Sequence, residues 1–409
     1  MSNNIVGIIA EYNPFHNGHK YQLEFAKEHL RADYIIVAMS GNFVQRGTPA
    51  IVDKYCRAKM AVAEGADLVF ELPACFATGS LDDFALGSVA LLDALGIVSY
   101  LVFGSESGDI LPLSHLSSAM MHDESSYSII RNAMKTGMSA NKVKDTVLAE
   151  IKNKQLLESC ISAVNKPNNM LGVLYLNSLK RLRSSMMPVT HARRGQGYLD
   201  DSCSGMKQNN SFASATAIRA QLLSSLNNRK IHYSKSIEQY IPAVSYSILA
   251  ATLYQHKPIQ ANDCWNLLVK TISDNTDILP SISLVTPHLA DRISNCWRQC
   301  HSWDELVDCV STPNISPARV SRCLLHVLLR VTNRFMEDVR NNEICCYARL
   351  LSLSQRGEEL LPRIIETSQI PVLYSWTDTP NLSPRAMSQL CIDHTADSIY
   401  KALLDHACY

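Results

Sequence analysis

Gly7-Ile8-Ile9-Ala10-Glu11-Tyr12-Asn13-Pro14-Phe15-His16-Asn17-Gly18-His19 is the stretch that decides the fold. An apolar run over residues 5–10 passes into a polar turn, and two histidines separated by Asn-Gly stand where an amphipathic helix over residues 19–30 is expected to begin. A helix N-terminus offers unpaired backbone N–H groups and the positive end of a dipole, so phosphate oxygens bind there readily. Gly18 lets a nucleotide approach the backbone closely, and Pro14 stiffens the turn ahead of it. His16 and His19 can donate hydrogen bonds to an α-phosphate as negative charge develops on it during adenylyl transfer. A histidine pair on a loop could also hold a metal. Strand, turn, HxGH and helix in this order favour phosphate.

Outward from that turn, residues 34–39, 67–72 and 100–103 read as further buried strands, with helices expected over 54–64 and 81–95. Strand and helix in regular alternation imply a doubly wound α/β sheet with right-handed crossovers, Rossmann-like in outline. Ligands in such sheets sit beyond the carboxyl ends of the strands. Glu11-Tyr12-Asn13, Ser40-Gly41-Asn42 and Gly104-Ser105-Glu106 fall at those ends. Gln45-Arg46-Gly47 follows the second strand, so Arg46 and Lys54 are candidates to reach a triphosphate; the alternative is a solvated loop. Glu11, Asp67 and Glu71 have no strong claim as metal ligands, and no metal site is expected.

From about Pro112 the pattern turns helical, including residues 168–182, before one strand-like run over 187–191 and a helix over 214–223. Helices dominate after Ile231; Ser316-Pro317 is a good helix start, and residues 347–353, 358–365 and 371–374 suggest a small α/β element. Residues 1–230 are therefore expected to form a catalytic domain, and residues 231–409 a mainly α-helical domain that helps hold a partner.

Of 409 residues, 46% are hydrophobic and 19% charged, which excludes a disordered chain. The N-terminus lacks the pattern of a secretory signal, and no run of about 18 apolar residues could span a bilayer, so a cytoplasmic protein is expected. Thirteen scattered cysteines then read as small core residues, not disulfides. Cys296, Cys300, His301 and Cys309 do not form the two close pairs of a structural zinc site. Formal net charge is zero, yet Lys180, Arg181, Arg183, Arg193, Arg194, Lys207, Arg219, Arg229, Lys230 and Lys235 face only Asp200 and Asp201 over that stretch. Either a phosphate-binding surface or ordinary solvated helix faces would account for it.

The HxGH turn resembles that of the nucleotidyltransferase superfamily. The segments Glu11 to His19, Met39-Ser40-Gly41-Asn42-Phe43-Val44-Gln45-Arg46-Gly47, Phe103-Gly104-Ser105-Glu106, Lys166-Pro167-Asn168-Asn169-Met170-Leu171-Gly172, Ala192-Arg193 with Tyr198, and Ala213-Ser214-Ala215-Thr216-Ala217-Ile218-Arg219 together resemble the tRNA(Met) cytidine acetate ligase family. Leu199 departs from the histidine expected after Tyr198. The resemblance implies that Gly7, Ile8, Ile9, Ala10, Glu11, Tyr12, Asn13, Pro14, Phe15, His16, Asn17, Gly18, His19 and Lys20 contact ATP, with Gly104, Arg193 and either Asn168 or Asn169. Ser214, Thr216 and Arg219 match the superfamily's phosphate-binding helix start; an ordinary Ser-capped helix is the alternative.

What the family resemblance implies is a two-step reaction. Acetate attacks the α-phosphate of ATP, which brings Mg2+ with it, and acetyl-adenylate passes its acetyl group to the wobble cytidine of elongator tRNA(Met), giving N-acetylcytidine. No activated Ser or Cys is needed, because catalysis is positioning and charge stabilisation. Two rivals share parts of the pattern: an adenylyltransferase acting on a small phosphorylated acceptor, and a non-catalytic RNA-binding protein with a relic nucleotide fold.

Overall fold

The computed structural model describes residues 4–122, 154–164, 166–193, 212–226, 235–274, 276–374 and 382–406. Its strands are β1 (Ile5–Ala10), β2 (Tyr34–Ser40), β3 (Phe43–Val44), β4 (Thr48–Pro49), β5 (Leu68–Leu72), β6 (Tyr100–Ser105), β7 (Met187–Ala192), β8 (Ala348–Leu353) and β9 (Val372–Leu373). β3 and β4 form a separate antiparallel hairpin; the others make a seven-stranded sheet of order β7-β6-β1-β2-β5-β8-β9. Strands β1, β2, β5, β6 and β7 are mutually parallel. The doubly wound α/β fold expected from the alternation is the fold observed.

Burial on both faces explains why β1, β2, β5 and β6 read as largely apolar runs. Val6, Ile8 and Ala10 pack with Leu23 and Ala26 of α1 (Asn17–His29) and with Ala58 and Ala61 of α2 (Lys54–Ala63). Ile5, Ile36 and Ala38 face the opposite layer, which includes the short α3 (Ala74–Ala77), α4 (Leu81–Ala94), α5 (Ile110–His122), α6 (Lys154–Val164) and α7 (Pro167–Leu182). From β1 the chain moves first to β2 on one side and later to β6 on the other, so a crevice opens at their carboxyl ends. The HxGH turn after β1 and the segments that follow β2 and β6 lie at that crevice.

The later helices are α8 (Ala215–Leu226), α9 (Lys235–Glu238), α10 (Ala243–Gln255), α11 (Trp265–Asp274), α12 (Pro287–Cys296), α13 (Trp303–Val310), α14 (Pro317–Leu329), α15 (Asn333–Asn341), α16 (Gln355–Thr367) and α17 (Pro384–His406). Two expectations are corrected here. The segment over 347–374 is no separate element: β8 pairs antiparallel with β5, opposing Phe70 to Leu350, and β9 adds the edge. Helical residues such as Leu268, Leu324 and Leu403 share one core with Ile5 and Phe70. Second, the cysteines are not all unpaired, since α12 and α13 pack together and join Cys296 to Cys309 with their Cα atoms 6.3 Å apart. Cys56, Cys75, Cys160, Cys264, Cys323, Cys345 and Cys346 are buried free thiols, as their apolar settings suggest. Among the described residues no helix is long and apolar enough to cross a membrane.

Candidate active site

His16 is the N-cap of α1, and its ring folds back on the helix it begins. Its Nδ1 accepts a hydrogen bond from the Gly18 amide at 3.0 Å, while its own amide donates to Nδ1 of His19 at 3.2 Å. The two imidazoles form the reciprocal capping box usually made by Ser or Thr with Glu. The rings stack with centroids 3.7 Å apart and planes 23° from parallel. Gly18 is needed here for a reason other than nucleotide approach: a Cβ on it would sit 2.9 Å from Cε1 of His16.

The cap engages the amides at the start of the helix. The amide of Asn17 donates to the Tyr240 carbonyl at 2.9 Å and the Gly18 amide to His16, so the first amides of α1 are already paired. What remains is the two Nε2 atoms. Burial, with Arg193 and then Arg219 adding to it, lowers the His16 pKa to about 3; burial, His16 and Arg193 hold His19 well below its ordinary value. Both rings are therefore neutral near pH 7. With Nδ1 accepting in each, the proton resides on Nε2. The turn presents two neutral, fixed Nε2–H donors.

Arg57, which has no place in the sequence motifs, organises the floor. Its guanidinium is fully buried and donates Nη1 to the carbonyls of Glu11 at 2.6 Å and Ser40 at 3.1 Å, Nη2 to that of Gly41, and Nε to that of Val52 at 3.2 Å. One side chain thus ties the carboxyl end of β1 to that of β2. The Glu11 carboxylate accepts from the Gln45 amide at 2.9 Å, fixing the β3–β4 hairpin against the turn that leads to His16. That hairpin is no solvated loop: Phe43, Val44 and Gly47 are buried, and Gly47 adopts φ +79°, with its backbone against Ser321 and Arg322 of α14. Arg46 stands exposed at its tip.

Arg219 of α8 reaches the same turn from far along the chain. Its Nη1 donates to the Asn13 carbonyl at 2.7 Å and its Nη2 to Thr216 Oγ1 at 3.1 Å, and the charges of Arg46 and Glu11 act on it. Ser214 accepts from the Ala217 amide at 3.2 Å as the cap of α8. Across the crevice, the Gly104 backbone lies against Arg193 Cγ and the His191 ring, and the Arg193 amide donates to the Ser105 carbonyl. Glu106 caps α7, accepting from the amides of Asn168 and Asn169 at 3.1 and 2.7 Å and from Asn168 Nδ2 at 2.7 Å. Burial alone would raise its pKa, but these bonds outweigh it and the carboxyl pKa is lowered. Asn169 is buried and spends its oxygen on the Glu106 and Ser107 amides, which leaves the more exposed Asn168 as the candidate of the two.

Other expected residues sit elsewhere. Lys54 is fully buried, with its ammonium 2.7 Å from Glu71 and 2.6 Å from Asp397, while Arg349 closes the cluster at 3.0 and 2.9 Å from the same carboxylates. Its assignment to the triphosphate is withdrawn, because those anions occupy its ammonium. Lys20 pairs with Glu64 at 3.1 Å, and Asn17 Nδ2 donates to the Gln239 carbonyl. Gly7, Ile8, Ile9 and Ala10 are β1 residues; Tyr12 and Phe15 are buried against His19, with Asn13 and Pro14 buried beside them. Asp67 accepts from the Ile35 amide, and among the described residues no group of three His, Cys, Asp or Glu is arranged to hold a metal. Arg194, Tyr198, Leu199, Asp200, Asp201, Lys207, Arg229 and Lys230 lie outside the described residues.

A neutral donor pair at the switch point, flanked by Arg193, Arg219 and Arg46, can stabilise charge developing on an α-phosphate and on a departing pyrophosphate. The model of the family described as HIGH Nucleotidyl Transferase matches residues 3–409. A protein of Acetivibrio thermocellus named tRNA(Met) cytidine acetate ligase is 32% identical over 377 residues, spanning 91% of this chain and 88% of its own. One of Clostridium perfringens with the same name is 34% identical over 408 residues, spanning 98% and 95%. Among solved structures, Thermotoga maritima TmcAL bound with alpha-thio ATP is similar at a TM-score of 0.83 and 29% identity, covering 98% of this chain and 95% of that one. Its apo form reaches 0.84 at 30% identity with the same coverage.

Proposed function

The chain belongs to the tRNA(Met) cytidine acetate ligase family of HIGH nucleotidyl transferases, and we propose that it acetylates the wobble cytidine of elongator tRNA(Met) at the expense of ATP. An oxygen of acetate attacks the α-phosphorus, and the bond to the β-phosphate oxygen breaks. Pyrophosphate leaves with the electron pair. The exocyclic amine of the cytidine then attacks the acetyl carbonyl, AMP departs, and the amine loses its proton.

The observation that carries this reading is the pair of neutral Nε2–H donors at the topological switch point. Acetate is already an anionic nucleophile, so fixed donors suffice to stabilise the pentavalent phosphorus. The loop from Gly7 to Lys20 holds the nucleotide chiefly through His16 and His19, with Gly104, Asn168 and Arg193 across the crevice. Arg46, Thr216 and Arg219 face the leaving pyrophosphate, and Ser214 holds α8 in place. Mg2+ enters on the phosphates of ATP. The protein acts in the cytoplasm.

Incubation with ATP, labelled acetate and bulk tRNA, followed by digestion to nucleosides, tests the assignment. Label is expected in N-acetylcytidine. RNA without label, together with adenine retained in a stable product, would assign the site to a small phosphorylated acceptor instead.

A further inference from the structure

Arg319 and Arg322 stand three residues apart in the first turns of α14, on one face of that helix. Arg322 Nη1 donates to the Gln45 carbonyl at 3.3 Å, so it meets the hairpin whose tip carries Arg46. Gln45 is held from two sides, its amide by Glu11 and its carbonyl by Arg322, which places the hairpin strand between the catalytic turn and Arg322. Nε of Arg322 is buried with no acceptor among the described residues. Among those residues no carboxylate lies within ion-pair distance of Arg46, Arg319 or Arg322. Elsewhere this chain does pair its arginines: Arg340 with Asp83, Arg349 with Glu71 and Asp397, Arg385 with Asp338. Arg319 and Arg322 lie close enough for their charges to act on one another, and with no carboxylate ion-paired to either among the described residues that face favours an external oxyanion.

We infer that Arg319 and Arg322 form a phosphate-binding rim next to Arg46, which holds a phosphodiester of the RNA acceptor while the target base is at the adenylate. The inference rests on the ligase reading for the identity of the polyanion. A nucleotide whose α-phosphate meets His16 and His19 has only two further phosphates, and these meet Arg46 and Arg219 on the near side of the hairpin. A polynucleotide backbone can span the strand and continue to Arg322. The helical half thereby supplies a hold on the substrate that none of the HxGH sequence blocks contains.

The test is equilibrium binding of labelled bulk tRNA to the full chain across a salt series. Arg319→Gln with Arg322→Gln is expected to weaken binding about tenfold at physiological salt, and to flatten the slope of log K against log salt by about 0.7–0.9 for each phosphate no longer neutralised. Arg322→Lys should keep most of the slope. Should the double variant fail to fold, Arg319→Gln alone gives the reading, since its side chain makes no hydrogen bond or ion pair among the described residues. It should remove one phosphate's share of the slope. A wild-type slope in a folded variant overturns the rim. So does loss of acetate-dependent ATP–pyrophosphate exchange with RNA binding intact, which would assign the arginines to the nucleotide. A wild-type protein that binds tRNA through the rim but shows no acetate-dependent exchange would overturn the ligase reading alone.

Discussion

The imidazoles of His16 and His19 lie stacked with centroids 3.7 Å apart, and each spends its Nδ1 on a backbone amide of the turn they share. The arrangement gives each ring two jobs. One nitrogen shapes the helix start, and under the proposed function the other meets phosphate.

Those jobs can be separated at His16. Asn is a good N-cap, and its short amide reaches the Nδ1 position but not that of Nε2. His16→Asn should therefore unfold near the wild-type temperature yet form adenylate about two orders of magnitude more slowly, because a lost transition-state donor costs roughly 3 kcal/mol. His16→Gln should do the reverse, losing the cap and keeping part of the rate. Equal rates for the Asn variant and wild type in pre-steady-state turnover would remove Nε2 from the chemistry.

A pH titration follows from the depressed His16 pKa. Its folded value of about 3 lies below the ordinary histidine value of 6.5, so the folded state binds fewer protons between them. The stability it contributes is complete above pH 6.5 and declines as pH falls toward 3, by up to about 1.4 kcal/mol per pH unit. The ring resonances of His16 in the apo protein should not titrate between pH 5 and 8. A midpoint near 6.5 would show the ring to be hydrated and free.

Arg57 binds four carbonyls, those of Glu11, Ser40, Gly41 and Val52. Arg57→Met leaves those buried acceptors without a donor. The loss of stability should be at least about 3 kcal/mol in urea unfolding, at 1–3 kcal/mol for each unsatisfied group. ATP affinity should fall in the fraction still folded, because the ends of β1 and β2 are no longer tied. A variant with native stability would mean that water replaces the guanidinium.

Lys54→Met probes the withdrawn triphosphate role. It strands the Glu71 and Asp397 carboxylates beside a single cation, Arg349, and should destabilise the protein by about 3–5 kcal/mol. ATP titrated into the folded protein should bind nearly as in wild type. A large loss of ATP affinity with little loss of stability would return Lys54 to the nucleotide.

Strands β1, β2, β5 and β6 were legible because burial on both faces leaves largely apolar runs, and the HxGH turn because it follows one of them directly. The pairing of β8 with β5 was not, since an antiparallel edge contributed from Ala348–Leu353 leaves no local mark of its partner. Arg57 and Lys54 look alike in sequence, two cations in one amphipathic helix. Only the fold reveals that one faces carbonyls and the other carboxylates. The use of His as a helix cap was equally hidden, because Ser, Thr, Asp and Asn are the residues that signal caps. That the Asn169 oxygen accepts from the amides of Glu106 and Ser107 was likewise not legible in the sequence.

The most direct test of the central claim is exchange of labelled pyrophosphate into ATP by the full chain without RNA. Exchange is expected only when acetate is present, with His16→Asn reducing it about a hundredfold through loss of one transition-state donor. Adding tRNA should then release AMP in step with acetyl label appearing in the RNA. Exchange that ignores acetate, or that proceeds at the wild-type rate in His16→Asn, would contradict the account.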